Sequence, residues 1–351
     1  MSKKSSEQSA YRKIRKHASN LVPSGYEITN RCNLKCEGCF FYEGEHFDAR
    51  DGLSEVDDLN RYTEFFRSEV ARGVSYPQFT GGDPSLVQGR LKVANRFWKN
   101  GVVYTNGIIK IDPEISFMLH IGAWTVDGEK DTHLRGAPAI TKALENYAGD
   151  RRAIIDFTIS HTNIDEIPSM VELCAAHDIR LVFNHYSPTR QYMKKITENS
   201  DFDPNGTFRF SSKDESLLLT EADLGDIRER IEWAIRDYPE TVIYSRYFNE
   251  WINRPGSLYE IDPDSGRATN CTIFNDPRHR QYQTDLSFDD TQCCVPNNDC
   301  RECRLYPVAY SQYLRPGPSK IRSENDFRDW IDVMESWCRM HILDWDELPD
   351  C

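Results

Sequence analysis

Three cysteines within one short stretch constrain this chain more than any other feature: Cys32, Cys36 and Cys39, spaced Cys-x3-Cys-x2-Cys directly after the strand-like run Tyr26-Glu27-Ile28-Thr29. One tight loop then aims three soft thiolates at one point. That ligand set suits an iron-sulfur cluster with one iron left open. A structural zinc site wants four ligands, and His46 is the nearest fourth.

The 351 residues leave room for a domain of roughly 200 residues and a smaller one. No run of about 18 apolar residues and no charged-then-apolar leader is present, so the expectation is a cytoplasmic protein with no membrane partner. The eleven cysteines are an odd number, bunched into the triplet and a later group, which reads as metal binding rather than a disulfide framework. A net charge of -13 disfavours nucleic acid, whose binding rests on clustered Lys and Arg. Residues 1–20 read as a disordered, basic N-terminal arm.

From residue 21 to 190, strand-like runs (Tyr26-Thr29, Tyr76-Thr80, Val102-Thr105, Ala123-Val126, Ala153-Ile159, Ile179-Asn184) alternate with helical patterns at about 56–72, 87–99, 113–120, 138–147 and 166–177. This predicts an α/β fold, a partial (β/α)6 TIM-like barrel with function at the carboxyl ends of its strands. Residues 191–255 read as a connecting lid with a helix over Thr220-Asp237, and 256–351 as a smaller cysteine-rich domain ending in helices.

Unusual residues gather at the strand ends. Thr80-Gly81-Gly82-Asp83-Pro84 is a turn in which paired glycines let the backbone approach a ligand closely. Thr105-Asn106-Gly107 follows the third strand. Thr125-Val126-Asp127-Gly128, with His133 and Arg135 beyond, follows the fourth. The fifth supplies Thr158 and Ser160, and the sixth ends in Asn184-His185-Tyr186.

In this order the motifs resemble the radical S-adenosylmethionine (radical SAM) superfamily. The resemblance implies that Cys32, Cys36 and Cys39 hold a 4Fe-4S cluster whose open iron takes SAM. Gly81, Gly82 and Asp83 then stand where a GGEP motif holds the methionyl amine, with Asp for the usual Glu. Thr125 is the ribose candidate, Arg135 a partner for the SAM carboxylate, and Ser160 a further cofactor contact. Most members carry an aromatic before the third cysteine to pack on adenine. Here that residue is Gly38, and Phe40, Phe41 or Tyr42 is left to take over.

Cys271, Cys293-Cys294 and Cys300-x2-Cys303 resemble the auxiliary-cluster module called Twitch, a shortened relative of SPASM. Cys271, Cys294, Cys300 and Cys303 would hold a second 4Fe-4S cluster, with a four-cysteine zinc site as the alternative. Cys293 and Cys294 are adjacent, so one is a spare thiol. Cys174, in a predicted helix, is a small core residue or, with those two, a candidate hydrogen donor.

The implied activity is reductive cleavage of SAM to a 5'-deoxyadenosyl radical that takes hydrogen from a small polar metabolite such as a sugar, aminocyclitol or nucleoside-like molecule. The outcome is oxidation or epimerisation, with flavodoxin or ferredoxin as electron donor. Radical modification of a ribosomally made peptide is the alternative within enzymes. A zinc-binding, non-catalytic scaffold is the alternative outside them.

Overall fold

The computed structural model describes residues 3–41, 55–198, 215–275, 278–288, 298–306, 313 and 321–349. In chain order, helix α1 (Lys3–His17) precedes β1 (Pro23–Glu27). There follow α2 (Leu59–Ala71), β2 (Tyr76–Thr80), α3 (Gln88–Asn95), β3 (Val102–Thr105), β4 (Met118–Ala123), α4 (Gly128–Arg135), α5 (Ala139–Tyr147), β5 (Ala153–Ile159), α6 (Ile167–Ala176) and β6 (Arg180–His185). The remainder comprises α7 (Arg190–Glu198), α8 (Glu221–Asp237), α9 (Arg246–Ile252), α10 (Thr272–Asn275), the two-residue β7 (Gln281–Tyr282) and α11 (Glu324–His341).

The strands form one seven-stranded sheet, ordered β6-β5-β4-β3-β2-β1-β7, and all neighbours pair in parallel. Parallel neighbours need crossovers, and helices supply most of them, as the alternating pattern required. The result is the open, partial-barrel α/β fold.

The two faces of the sheet differ. Side chains alternate along each strand, and Phe79, Val103, Ile121, Ile155, Phe157 and Phe183 on the outer face are fully buried. Helices cover that face: Phe66 of α2 sits edge-on to Phe79 and to Trp98. On the inner face Gln78, Thr80, Tyr104, Gly122, Thr158 and Asn184 are all partly exposed, so its middle and carboxyl end stay polar and open. The amino end of that face is closed by α11, where Trp337 packs on Tyr76 and the His341 ring meets the Tyr76 hydroxyl at 3.0 Å.

Three expectations change. The N-terminal segment is a helix rather than a disordered arm: Ile14 is fully buried, Tyr11 packs edge-on to Phe327 at 5.4 Å, and Arg328 of α11 pairs with Glu7. Its few apolar residues needed a partner helix distant in sequence. The pattern at 113–120 is not helical but leads into β4, where Met118, Leu119, His120 and Ile121 are all buried. Short apolar runs do not distinguish helix from strand by periodicity. The fourth strand therefore ends at Ala123, where the sequence suggested it began, and the unpredicted helix α4 follows. The helix over Thr220–Asp237 forms as expected, with the Thr220 and Asp223 side chains closing a capping box. Among the described residues no helix is long and apolar enough to cross a membrane.

Candidate active site

The cysteine loop leaves the carboxyl end of β1 and is pinned at its start. Glu55 accepts from the Thr29 hydroxyl at 3.1 Å and from the Asn30 N–H at 2.9 Å, and it pairs with the buried Arg90 at 2.7 Å. Burial opposes the charge on Glu55, but these donors outweigh it and hold its carboxyl below the usual range. Further along, the loop is stitched to the end of α4: the Lys35 and Glu37 N–H groups donate to the Arg135 and Leu134 carbonyls at 3.1 and 2.9 Å.

Between those anchors Cys32, Cys36 and Cys39 remain partly exposed. Arg135, 2% exposed, lies close enough to Cys36 and Cys32 for their charges to act on one another, and its guanidinium donates to the Gly122 carbonyl at 2.6 Å. Asp131, fully buried, stands 3.7 Å from the guanidinium. The Cys32 sulfur accepts from the Leu34 N–H at 3.4 Å and from the Asn106 side chain at 3.8 Å. Burial pushes the Cys32 thiol up to about 11, so loading a metal there releases a proton.

A buried cation against two of three reachable thiols, with amide donors on one sulfur, fits an anionic thiolate-bound cluster. Among the described residues, no group of three or more His, Cys, Asp or Glu is spaced to hold a metal ion.

The Gly81-Gly82-Asp83 turn abuts this loop. A Cβ at Gly81 would lie 2.4 Å from the Thr29 oxygen and one at Gly82 2.0 Å from the Arg31 oxygen, while the Gly82 and Asp83 N–H groups donate to those same carbonyls. The close approach that the glycines permit in this structure is to the cysteine loop itself. Asp83, 1% exposed, accepts from the Thr105 hydroxyl and the Asn106 and Ser85 N–H groups, tying β2 to β3.

The chain is similar in sequence to several known proteins. The chain is 29% identical over 163 residues to the sporulation killing factor maturation protein SkfB of Bacillus subtilis, covering 42% of this chain and 38% of that protein. It is 26% identical over 197 residues to Fe-coproporphyrin III synthase of Methanosarcina barkeri (50% and 46%), and 25% identical over 179 residues to GTP 3',8-cyclase of Chlorobaculum tepidum (46% and 52%). These similarities support a radical SAM superfamily enzyme. It spans about half or less of the length of these relatives. No protein-family profile matches it. A solved chain, histidine-tagged anSMEcpe with bound AdoMet, overlays 91% of this chain and 87% of its own at 14% identity and a TM-score of 0.49; the fold rests on the topology above.

The radical SAM homologues imply a 4Fe-4S cluster and SAM. Thr125 is fully buried and donates to Glu166 at 2.6 Å, and Glu166 also accepts the Val126 N–H and pairs with Lys130. Ser160, 1% exposed, shares a hydrogen bond with Thr162 at 3.1 Å. Phe40 is half-buried beside Cys39, whereas Phe41 is buried.

The space over Gly38 is filled by Tyr186 from the end of β6. A Cβ at Gly38, whose φ is +59°, would sit 2.2 Å from the Tyr186 hydroxyl oxygen. Tyr186 also meets Trp124 edge-on at 6.0 Å and Tyr192 at 5.4 Å.

Of the second cysteine group, Cys271 and Cys303 are buried and Cys300 is partly exposed. Their segment docks on the end of β6: the Asp299 N–H donates to the Pro188 carbonyl at 3.1 Å and the Arg304 N–H to the Ser187 hydroxyl at 2.9 Å. Cys293, Cys294, Tyr42 and His46 lie outside the described residues. Cys174 is fully buried in α6 within the core, where burial pushes its thiol up to about 12.

The sequence reading did not single out Glu166, or the inner-face groups Gln78, Tyr104, His120, Asp156 and Tyr306. Period-two alternation of polar with apolar residues along β4 and β5 was the available signal for two of these, His120 and Asp156.

Proposed function

We propose that this chain is a radical SAM enzyme in which Cys32, Cys36 and Cys39 hold the 4Fe-4S cluster, acting on a small polar metabolite such as a sugar, aminocyclitol or nucleoside-like molecule. The observation that carries the reading is the buried Arg135 cation set against two of the three loop thiols at the open, polar end of the sheet. When bound, the cluster supplies one electron to SAM, releasing methionine and a 5'-deoxyadenosyl radical that takes a hydrogen atom from the substrate.

The chain's own part is positioning and exclusion of water. Gly81, Gly82 and Asp83 fix the loop against β2. Arg135 balances negative charge at the thiols. Tyr186, occupying the place of the missing aromatic at Gly38, is the surface proposed to pack on adenine; Phe40 is the second choice. Thr125 and its partner Glu166 face the ribose, and Ser160 lies beside them.

In this reading Cys271, Cys300, Cys303 and one of the pair Cys293 and Cys294 hold an auxiliary cluster, and the product is oxidised or epimerised. Epimerisation assigns the hydrogen donor to the spare member of that pair. Burial disfavours Cys174 for that role. Flavodoxin or ferredoxin is the proposed electron donor.

A second reading, modification of a ribosomally made peptide, is favoured by the similarity to the sporulation killing factor maturation protein.

The test is anaerobic reconstitution with iron and sulfide, then reduction with dithionite and SAM. About eight irons per chain with 5'-deoxyadenosine formed supports two clusters, and about four supports the loop cluster alone. Zinc without iron, and intact SAM, would refute the enzyme reading.

A further inference from the structure

The Thr105-Asn106-Gly107 segment at the end of β3 has no part in the chemistry above, yet it reaches the cysteine loop. β1 and β3 are not neighbours, because β2 pairs between them. Asn106 spans that gap: its Nδ2 donates to the Asn33 Oδ1 at 2.7 Å and to the Cys32 Sγ at 3.8 Å. The loop that leaves β1 is thereby tied to the end of β3.

The surroundings fix which way this amide points. The Ile108 N–H donates to the Asn106 Oδ1 at 3.0 Å. An amide oxygen accepts and its nitrogen donates, so this contact sets the oxygen toward Ile108 and leaves the nitrogen for the loop. The Asn106 backbone is held in turn by Asp83, whose Oδ2 accepts the Asn106 N–H at 2.7 Å while its Oδ1 accepts the Thr105 hydroxyl and the Ser85 N–H, both at 2.9 Å. Asp83 is 1% exposed and Asn106 7%. The Asp83 carboxylate is therefore spent on seating the end of β3.

We infer that Asn106 tunes the loop cluster through an N–H···S bond to Cys32, and that Asp83 is the positioning residue that holds Asn106 in place. The inference rests on the reading of Cys32, Cys36 and Cys39 as cluster ligands; the hydrogen bonds do not depend on it. A donor to a ligand sulfur offsets part of its negative charge. The reduced cluster carries one more negative charge than the oxidised and gains more from such a donor, so Asn106 raises the reduction potential. The Leu34 N–H, at 3.4 Å from the same sulfur, belongs to the backbone. Side-chain substitution can thus change the donors to this sulfur at Asn106 but not at Leu34.

Redox titration of the full chain, reconstituted with iron and sulfide and followed by electron paramagnetic resonance, tests this on the signal that shifts when SAM is added. Asn106→Leu keeps a side chain of similar shape and removes the amide. Its potential should become more negative, with iron content and circular dichroism equal to the wild type. Asn33→Ala removes the other acceptor of the same amide and keeps the bond to Cys32, so its potential should stay with the wild type. Asp83→Glu keeps the charge on a longer arm and should shift the potential in the direction of Asn106→Leu.

A wild-type potential in fully loaded Asn106→Leu would overturn the inference, as would an equal shift in Asn33→Ala, which would assign the effect to a lost loop tie. A wild-type potential in Asp83→Glu would remove the positioning role. If the wild type itself assembles no cluster, the cluster reading fails and this inference with it. Nuclear magnetic resonance of the cluster-free chain decides the case in which Asn106→Leu does not fold: one Asn106 Nδ2 proton should shift in Cys32→Ala while the other, bonded to Asn33, stays. Two unmoved protons would overturn the bond to sulfur.

Discussion

Replacing Arg135 with Gln removes a positive charge that the structure places against the cluster thiols while leaving a side chain able to donate to the Gly122 carbonyl. Taking roughly 7 Å between the guanidinium and the centre of a cluster held by the loop, with an effective dielectric of about 20, one unit charge there is worth about 2 kcal/mol. For a one-electron couple that is on the order of 100 mV. The reduced cluster carries one more negative charge than the oxidised, so losing the cation favours the oxidised state. The potential should become more negative by about that amount.

Titrating reconstituted wild-type and Arg135→Gln protein with electron paramagnetic resonance measures the shift directly, and 5'-deoxyadenosine formation under dithionite should slow with it. The same change leaves Asp131 buried without its cation, at a cost near the lower end of the roughly 3–5 kcal/mol for a broken buried pair, because the Ile140 N–H still donates to Asp131 at 2.7 Å. Urea unfolding measures that loss separately. A potential within about 20 mV of wild type in a folded, fully loaded variant would refute the electrostatic role of Arg135.

Cys32→Ala, Cys36→Ala or Cys39→Ala should each abolish SAM cleavage while leaving the circular dichroism spectrum intact, because the three side chains sit on a partly exposed loop outside the core. Gly38→Ala forces a Cβ against the Tyr186 hydroxyl at positive φ and should cost about 2–4 kcal/mol; Tyr186→Phe in the same chain should recover the steric part but not the backbone part. Glu69 is buried, which alone would raise its pKa, but Arg72, Tyr282 and Tyr26 at 2.7, 2.6 and 2.8 Å outweigh this and depress it. Its contribution to stability is therefore present above the unfolded value of about 4.3 and is lost as pH falls through the lower folded value. The urea midpoint of wild type should fall across that window, and Glu69→Gln should flatten the slope.

Much of the site was legible in sequence because its residues are local. The cysteine loop, the Gly81-Gly82-Asp83 turn and the Thr125 segment each lie in one short stretch, and parallel strand-helix alternation brings the ends of β1, β2 and β4 to one rim of the sheet. What those residues touch was less legible. Both glycines read as room for a ligand, yet in the fold their missing side chains admit the backbone of Thr29 and Arg31. The aromatic absent at Gly38 was sought among its neighbours, while Tyr186 reaches that space from the far edge of the sheet.

By itself the sequence determined the alternation of elements, the thiolate loop and the family resemblance, since periodicity and motif spacing are properties of neighbouring residues. Tertiary structure alone decided that Lys3–His17 is a packed helix, that the buried Arg135 lies near the loop thiols, and that Tyr306, His120 and the Met340 carbonyl form one chain. Those two contacts of His120 join β4 to segments 186 and 220 residues away. Partners so distant leave no local pattern, and a buried hydrogen bond or charge pair exists only once packing has excluded water from around it.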